Sequence, residues 1–593
     1  MRRPPHRRSS RVRAALRRET SMFRYALMRG VSAGAMTLVL LSPIMAQVAL
    51  PPIDIDAEKA KRSADDLSTP LGAATVSEEK LATERPAYSD ATQLLSGTPG
   101  VSFYEGGGVS RLPALRGLAD DRIKILLGGQ EVSSACANHM NPPLSYIDPN
   151  NVGRIQVLSG VTPVSKGGDS IAGTIVVEPK PPIFAGQAAP GRQSLLPWNG
   201  PSLLTSGSIS TFYRSTNSSV SVSGTANAAT DHFSLLYNGS YTRGSDYHMG
   251  GNGPKVLSTS FISENHSATL AYQNEGHLFT LRGGYQNIPF QAWPNVRMDM
   301  TGIAGRGSGN RSYSIDAGYI GTFEWGKIDA NAYWRHTAHI MNFLYDKMPA
   351  AMPMFTAGTD FGYSIKAEIP LSQRDLLRIG NEFHGARLND WWEPVLGASK
   401  GMMGPDTLWN INNGKRDRVG TFAEWEAKWT PQWTTLLGVR NDTVWMDTGL
   451  VQPYGWDQMI RLGPPTPLTN ARDAALFNAV GHSRTDVNFD VTALVRYQPD
   501  EGSVYEAGYS RKTRSPNLYE RYAWNYGYSS DMVGWFGDAN GYVGNLDLKP
   551  EVAHTFNFTA AWRDAVGGNW EAKISPYFTY AENFIDADKV GQF

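Results

Sequence analysis

From about residue 205 to its end the chain returns again and again to one pattern, segments of roughly ten residues in which apolar and polar side chains alternate. In DVNFDVTALVRY, Val487, Phe489, Val491, Ala493, Val495 and Tyr497 fall on one side of an extended chain. Asn488, Asp490, Thr492 and Arg496 fall on the other. HTFNFTAAWR sets Phe556, Phe558, Ala560 and Trp562 against Asn557, Thr559 and Ala561. IDANAYWR sets Ile328, Ala330, Ala332 and Trp334 against Asp329, Asn331, Tyr333 and Arg335. A period of two belongs to strands, and no helical period accompanies it here. One apolar and one polar face, repeated this often, is the pattern of a membrane β-barrel with lipid outside and a wet lumen inside. Such a sheet must close, because hydrocarbon leaves no partner for an unpaired backbone group. The 16 Trp and 26 Tyr suit aromatic girdles at the two interfaces. A soluble sandwich or solenoid also alternates, but seldom behind an α+β unit and with so many outward aromatic residues.

The N-terminus fits an exported protein. The basic stretch 1–30 is followed by the uncharged, mostly apolar VSAGAMTLVLLSPIMAQVAL, an n-region and h-region with cleavage expected after Ala46. Ile44 fits the cleavage pattern poorly, and Met22 is a candidate start. A membrane anchor is the competing reading, disfavoured by the shortness of the run and by Pro43; no other apolar run approaches the ~20 residues of a spanning helix. Residues 47–80 read as a flexible leader in which the patch Ile53, Asp54, Ile55, Asp56 and Ala57 could add as a strand to a partner sheet. Net charge is zero, which gives no reason to expect nucleic acid as a partner.

Residues 81–181 read as a compact α+β unit. SDATQLLSGTPGVSF predicts a short helix, a Pro99-Gly100 turn and a strand; DRIKILLGGQEV predicts two strands about a Gly-Gly turn; VGRIQVLSG and AGTIVVEPK supply two more. Residues 182–204 are a Pro/Gly-rich linker, and 205–593 the barrel.

Leu94-Leu95, Pro99-Gly100-Val101, Arg116-Gly117 and RIQVLSGVTPVSKGGDSIAGTIVV occur in an order that resembles the plug domain of TonB-dependent outer-membrane receptors. In the last stretch Ile155, Val157, Gly160, Gly168, Ala172, Gly173 and Ile175 stand in the family's places. RKTRSPNLYERY and NLDLKPEVAHTFNF resemble its barrel segments. The resemblance implies a barrel of the 22-strand type with the plug inside its lumen. It also implies the outer membrane of a Gram-negative bacterium, contact with membrane lipid, a monomer, and energy from TonB acting on a leader box near residues 53–57. About fifteen or sixteen strand-like segments are present, so the chain is expected to be C-terminally truncated and its barrel incomplete.

The one cysteine, Cys136, lies in SSACANHMNPPLSY, four residues before Met140 and beside His139. In an exported protein a lone thiol is expected to be buried or used. The i,i+4 spacing would bring Cys136 and Met140 together on a helical turn. Thiolate and thioether are soft donors that select Cu(I) over Ca, Mg or Mn. Extending the alternation of IDANAYWR by twos carries Thr337, His339 and Met341 onto the lumen face. Cys-x-x-x-Met in the plug with His-x-Met in the barrel resembles the family's copper receptors, which implies a copper site of Cys136, Met140, His339 and Met341. His139 is a neighbour or a fifth ligand. Met298, Met300, Met352, Met354, Met402 and Met403 lie in loop-like Pro/Gly stretches and are candidate secondary contacts or ordinary packing.

The expected function is therefore import of copper, with no catalytic cofactor. A rival cargo is a metal chelate such as a siderophore, held by loops such as DWWEP (390–394) or NVRMDM. A passive porin or adhesin is a rival of another class. An enzyme is not expected: no paired carboxylates, Ser/His/Asp set or phosphate-binding Gly loop occurs in context, and GDS at 168–170 lacks the nucleophile-elbow pattern.

Overall fold

The computed structural model describes residues 67–104, 108–137, 139–185, 203–251, 253–257, 259–292, 308–343, 352–394, 405–454, 470–525, 541–565 and 568–589. The expected signal segment and the patch 53–57 lie outside them.

Two small sheets form the N-terminal unit. The strands are β1 (Ala74–Thr75), β2 (Val101–Tyr104), β3 (Leu112–Leu115), β4 (Leu118–Ala119), β5 (Ile123–Leu127), β6 (Gln130–Glu131), β7 (Val152–Ser159) and β8 (Gly173–Pro179). One sheet has the order β1-β7-β8-β5-β6 and the other β2-β3-β4. Helix α1 (Glu78–Glu84) is capped by the Ser77 hydroxyl, which accepts from the Lys80 amide at 3.2 Å. Leu81 of α1 joins Leu94, Leu95, Ile125, Ile155, Val157, Ile175 and Val177 in the buried core. The Gly128-Gly129 turn between β5 and β6 has positive φ at both residues, which glycine adopts without a Cβ penalty.

The second unit is one antiparallel sheet. Its strands are β9 (Leu204–Arg214), β10 (Ser219–Ala229), β11 (Phe233–Gly244), β12 (Phe261–Asn274), β13 (His277–Gln291), β14 (Ser308–Phe323), β15 (Gly326–Phe343) and β16 (Met352–Pro370). They continue as β17 (Asp375–Trp392), β18 (Leu408–Lys428), β19 (Trp433–Asp447), β20 (Arg484–Tyr497), β21 (Ser503–Arg514), β22 (Glu551–Arg563), β23 (Glu571–Ile574) and β24 (Tyr577–Glu582). Each strand from β9 to β22 pairs with the next in sequence; β23 and β24 both pair with β22, over different residues. Pro576, which has no N–H to donate, lies between those two pieces. The sheet does not close: β9 pairs only with β10 among the described residues.

Burial is inverted relative to a soluble protein. On β20, Val487 and Phe489 are each 59% exposed while Asp490 and Thr492 are 1% and 0% exposed. The apolar face is the outer one, as a lipid-facing wall requires. Connections on one side are short, such as the two residues Glu275-Gly276, both at positive φ as a type I′ turn demands. Those on the other side run long, as after β15 and β17. Where no helical period was expected, α2 (Asn470–Asn478) and α3 (Leu518–Tyr522) occur in long connections; at nine and five residues they are too short to show one.

The plug unit is tied to the inner face of the wall by buried ion pairs. Lys124 Nζ lies 3.1 Å from Glu382 Oε1, and Arg418 reaches Glu131 at 2.5 Å, Glu382 at 2.7 Å and Asp442 at 2.8 Å. Burial pushes the Glu131 carboxyl up, but Arg418, Lys124 and His384 together hold it well below the usual carboxylate range.

Candidate metal centre

The β5–β6 hairpin delivers the chain into the loop that carries Cys136. Ser133 N–H donates to Asp360 Oδ2 of β16 at 3.1 Å. The Ser134 hydroxyl donates to the carbonyls of Cys136 (3.2 Å) and Asn141 (3.3 Å), folding the loop on itself. Cys136 and Met140 do not share a helical turn as expected. The loop makes a tight turn in which His139 N–H donates to the Cys136 carbonyl at 3.1 Å, with His139 at φ 49°. The break is local: His139, inside the turn, takes the left-handed region, which a right-handed helical turn does not admit. Met140 is instead fixed through its carbonyl, which accepts from Gln291 Nε2 at 3.2 Å; Gln291 Oε1 in turn accepts from Asn141 Nδ2 at 3.1 Å.

The wall supplies the other half. Along β15, Tyr333, Arg335, Thr337, His339 and Met341 are buried, while Trp334 and Ala338 are exposed. His339 and Met341 therefore face inward, as the alternation predicts. His336 lies on the opposite face, where its Nδ1 is 2.9 Å from Thr359 Oγ1.

The two halves meet. Cys136 Sγ lies 3.4 Å from Met341 Sδ, and both residues are fully buried. An ion about 2.3 Å from each sulfur would see them at an angle of roughly 95°. Met140 is 1% exposed and His339 3%. Neither ring nitrogen of His339 has a hydrogen-bond partner among the described residues. A buried imidazole with two idle nitrogens is uncommon, because burial without a bond is costly; a metal ion would use one of them. Cys136 and Met341 are close enough to share a soft ion; Met140 and His339 are buried on the same two segments, one residue from His139 and two from Met341.

Met354 joins this cluster. It is directly opposite Met341 in the β15–β16 register and is 0% exposed. The loop-like reading of its segment is corrected: β16 already begins at Met352, with Pro353 tolerated near the start of the strand. Met352 pairs with Phe343 through its backbone. Met298, Met300, Met402 and Met403 lie outside the described residues. His139 turns to a different partner, the Asp120 carboxylate of the plug. Burial works against its protonation, yet Asp120 raises the imidazole to about 9.

Sequence reasoning missed the frame around the donors: Gln291, Asp360 and Gly358. A Cβ at Gly358 would stand 3.2 Å from that of Ala135, so the plug loop rests almost on the strand backbone. Only their places on the lumen face were legible. DWWEP is likewise not all loop: Asp390 and Trp392 are 0% and 1% exposed on the inner face of β17, and Trp392 pairs with Met354.

A family model for the TonB-dependent receptor plug domain matches residues 65–174, and one for the TonB-dependent receptor-like β-barrel matches 197–593. Among solved structures the chain is similar to the copper transporter OprC, with 18% identity and a TM-score of 0.66 over 86% of this chain and 72% of that one. It is similar to the FrpB iron transporter from Neisseria meningitidis (17%, TM-score 0.61, 86% and 72%). It is also similar to the Serratia marcescens hemophore receptor HasR, solved with HasA and heme (14%, 0.62, 87% and 74%). At these identities the likeness is one of fold. No curated protein matches the chain significantly.

Proposed function

The chain belongs to the family of TonB-dependent receptors, and on that premise we propose that it captures copper at Cys136, Met140, His339 and Met341 and imports it across the outer membrane of a Gram-negative bacterium. The observation that carries this reading is the 3.4 Å approach of a plug thiol to a barrel thioether two residues along the strand from an imidazole that has no hydrogen-bond partner among the described residues. Two sulfurs within reach of one ion favour a soft cargo. The two barrel donors sit at the long-loop end of β15, the side that faces outward in barrels of this kind. The similarity to a copper transporter agrees with the reading.

Half the donors are on the plug and half on the wall, so a movement of the plug separates them. TonB, drawing on the leader, would pull Cys136 and Met140 from His339 and Met341 and lower the affinity when release is needed. A plug fixed by buried ion pairs also argues against passive diffusion.

A metal chelate is the second reading, favoured by the similarity to an iron transporter and a hemophore receptor. Cu(I) titration of purified protein separates the two. Wild type should bind one Cu(I) per chain, and Cys136→Ala and Met140→Ala should weaken binding by tenfold or more; unchanged stoichiometry and affinity in both variants would leave the chelate reading. Growth on limiting copper with and without TonB tests the energy requirement.

A further inference from the structure

We propose that Asp120, Asp121 and His139 of the plug form a second cation site, distinct from the soft-donor cluster, for a divalent ion of the Zn2+ or Cu2+ class. One ligand atom from each residue lies within 4.8 Å of the others. Bonds of about 2.1 Å to nitrogen and oxygen set tetrahedral donors about 3.4 Å apart, so side-chain closure of up to about 1.4 Å completes the set. Asp120 and His139 are 9% and 6% exposed. One Asp120 oxygen pairs with His139, while the other, Oδ2, is buried with no hydrogen-bond partner among the described residues. Carboxylate oxygens are seldom left in that state.

The surrounding charge points the same way. Arg122 reaches Glu551 at 2.9 Å, and Arg514 reaches Glu551 at 2.5 Å and Glu520 at 2.8 Å, so two guanidiniums face two carboxylates. Arg416 is matched by Asp169 at 2.6 Å. Among the described residues the Asp121 side chain accepts from a neutral amide, Asn517 Nδ2 at 2.7 Å, and forms no ion pair with Lys or Arg. Two carboxylates thus face a single imidazole, and a dication makes up the difference. All three residues line one cavity with Ser133, Thr337 and Asp360, which gives an ion a way in. A set of one nitrogen and two oxygens, without sulfur, suits a harder ion than Cu(I). His139 and Met140 are adjacent, so one short turn carries a donor of each site.

The proposal shares no ligand with the copper reading and does not depend on it. The test is Co2+ titration of the purified full chain carrying Cys136→Ser, followed by visible absorption. The expected result is one Co2+ per chain, read from its d–d absorption. Adding Asp120→Asn should weaken binding at least by the 10–100-fold that loss of a supporting partner costs a metal site. No Co2+ bound, or equal affinity with and without Asp120→Asn, overturns the site. Independently of that second variant, X-ray absorption of the Zn2+-loaded Cys136→Ser chain should show a nitrogen and oxygen shell with imidazole scattering; a shell without imidazole overturns it too. Cu(I) stoichiometry of the single variant Asp120→Asn reports separately on the soft-donor site.

Discussion

Cys136 of the plug and Met341 of the wall hold their sulfur atoms 3.4 Å apart across 205 residues of sequence. The contact is the point where a soft ion would bridge the two units, and it makes the thioether testable apart from its shape. Leucine has nearly the volume of methionine, so Met341→Leu should change stability by less than about 1.5 kcal/mol. Copper affinity should fall more than tenfold. Isothermal titration and a thermal melt of the same preparation check both halves; an unaltered affinity would remove Met341 from the ligand set.

His339 predicts an opposition between stability and binding. Its two ring nitrogens are buried without partners among the described residues, a state that costs about 1–3 kcal/mol per unsatisfied group. His339→Leu should therefore stabilise the metal-free protein by an amount of that order while weakening copper binding. Cu(I) should raise the melting temperature of the wild type by more than that of the variant at the same concentration. A variant less stable than the metal-free wild type would show that the imidazole has a structural partner after all.

Gly358 offers a way to disturb the site without touching a donor. A side chain there meets Ala135 at the Cβ. Gly358→Val should push the loop inward and lower copper affinity, at a cost of about 1–3 kcal/mol for the overpacked contact. Gly283, with no heavy atom within 4 Å of its Cβ position, is the control: Gly283→Ala should leave binding intact. Equal behaviour of the two variants would count against close docking of the loop.

The ion pairs that seat the plug predict acid sensitivity. Glu131 titrates well below its ordinary value of 4.5 in the folded protein. Its contribution to stability is therefore complete above about 4.5 and is lost as pH falls toward the folded value. Limited proteolysis of the plug, followed from pH 7 to pH 3, should show faster cleavage below about 4.5. Glu131→Gln should be cut faster at neutral pH and show a flatter profile; parallel profiles for the two proteins would assign the acid response elsewhere.

Much of this arrangement was legible in the residues. Period-two alternation identified the wall, and its extension from Asp329 to Met341 set which side chains face the lumen, because a strand leaves only two faces to choose between. The β5–β6 hairpin was readable because only glycine sits easily at its two turn positions. The turn at Cys136 is tight and not helical, and spacing alone does not distinguish the two; the positive φ of His139 decides it, and no residue pattern in the segment announces that φ.

Composition and period by themselves determined that this chain makes a wall with lipid on one face, and which faces His339 and Met341 present. They could not determine who meets whom. Met354 stands opposite Met341 because of the register between β15 and β16, and register depends on pairing and connection length, not on alternation, which repeats every two residues and so looks alike at many offsets. The meeting of Cys136 with Met341, and the turning of His139 to Asp120, depend on how the plug docks against the wall. That docking rests on charges far apart in sequence, such as Lys124 with Glu382 and Arg418 with Glu131, which no local pattern relates to one another.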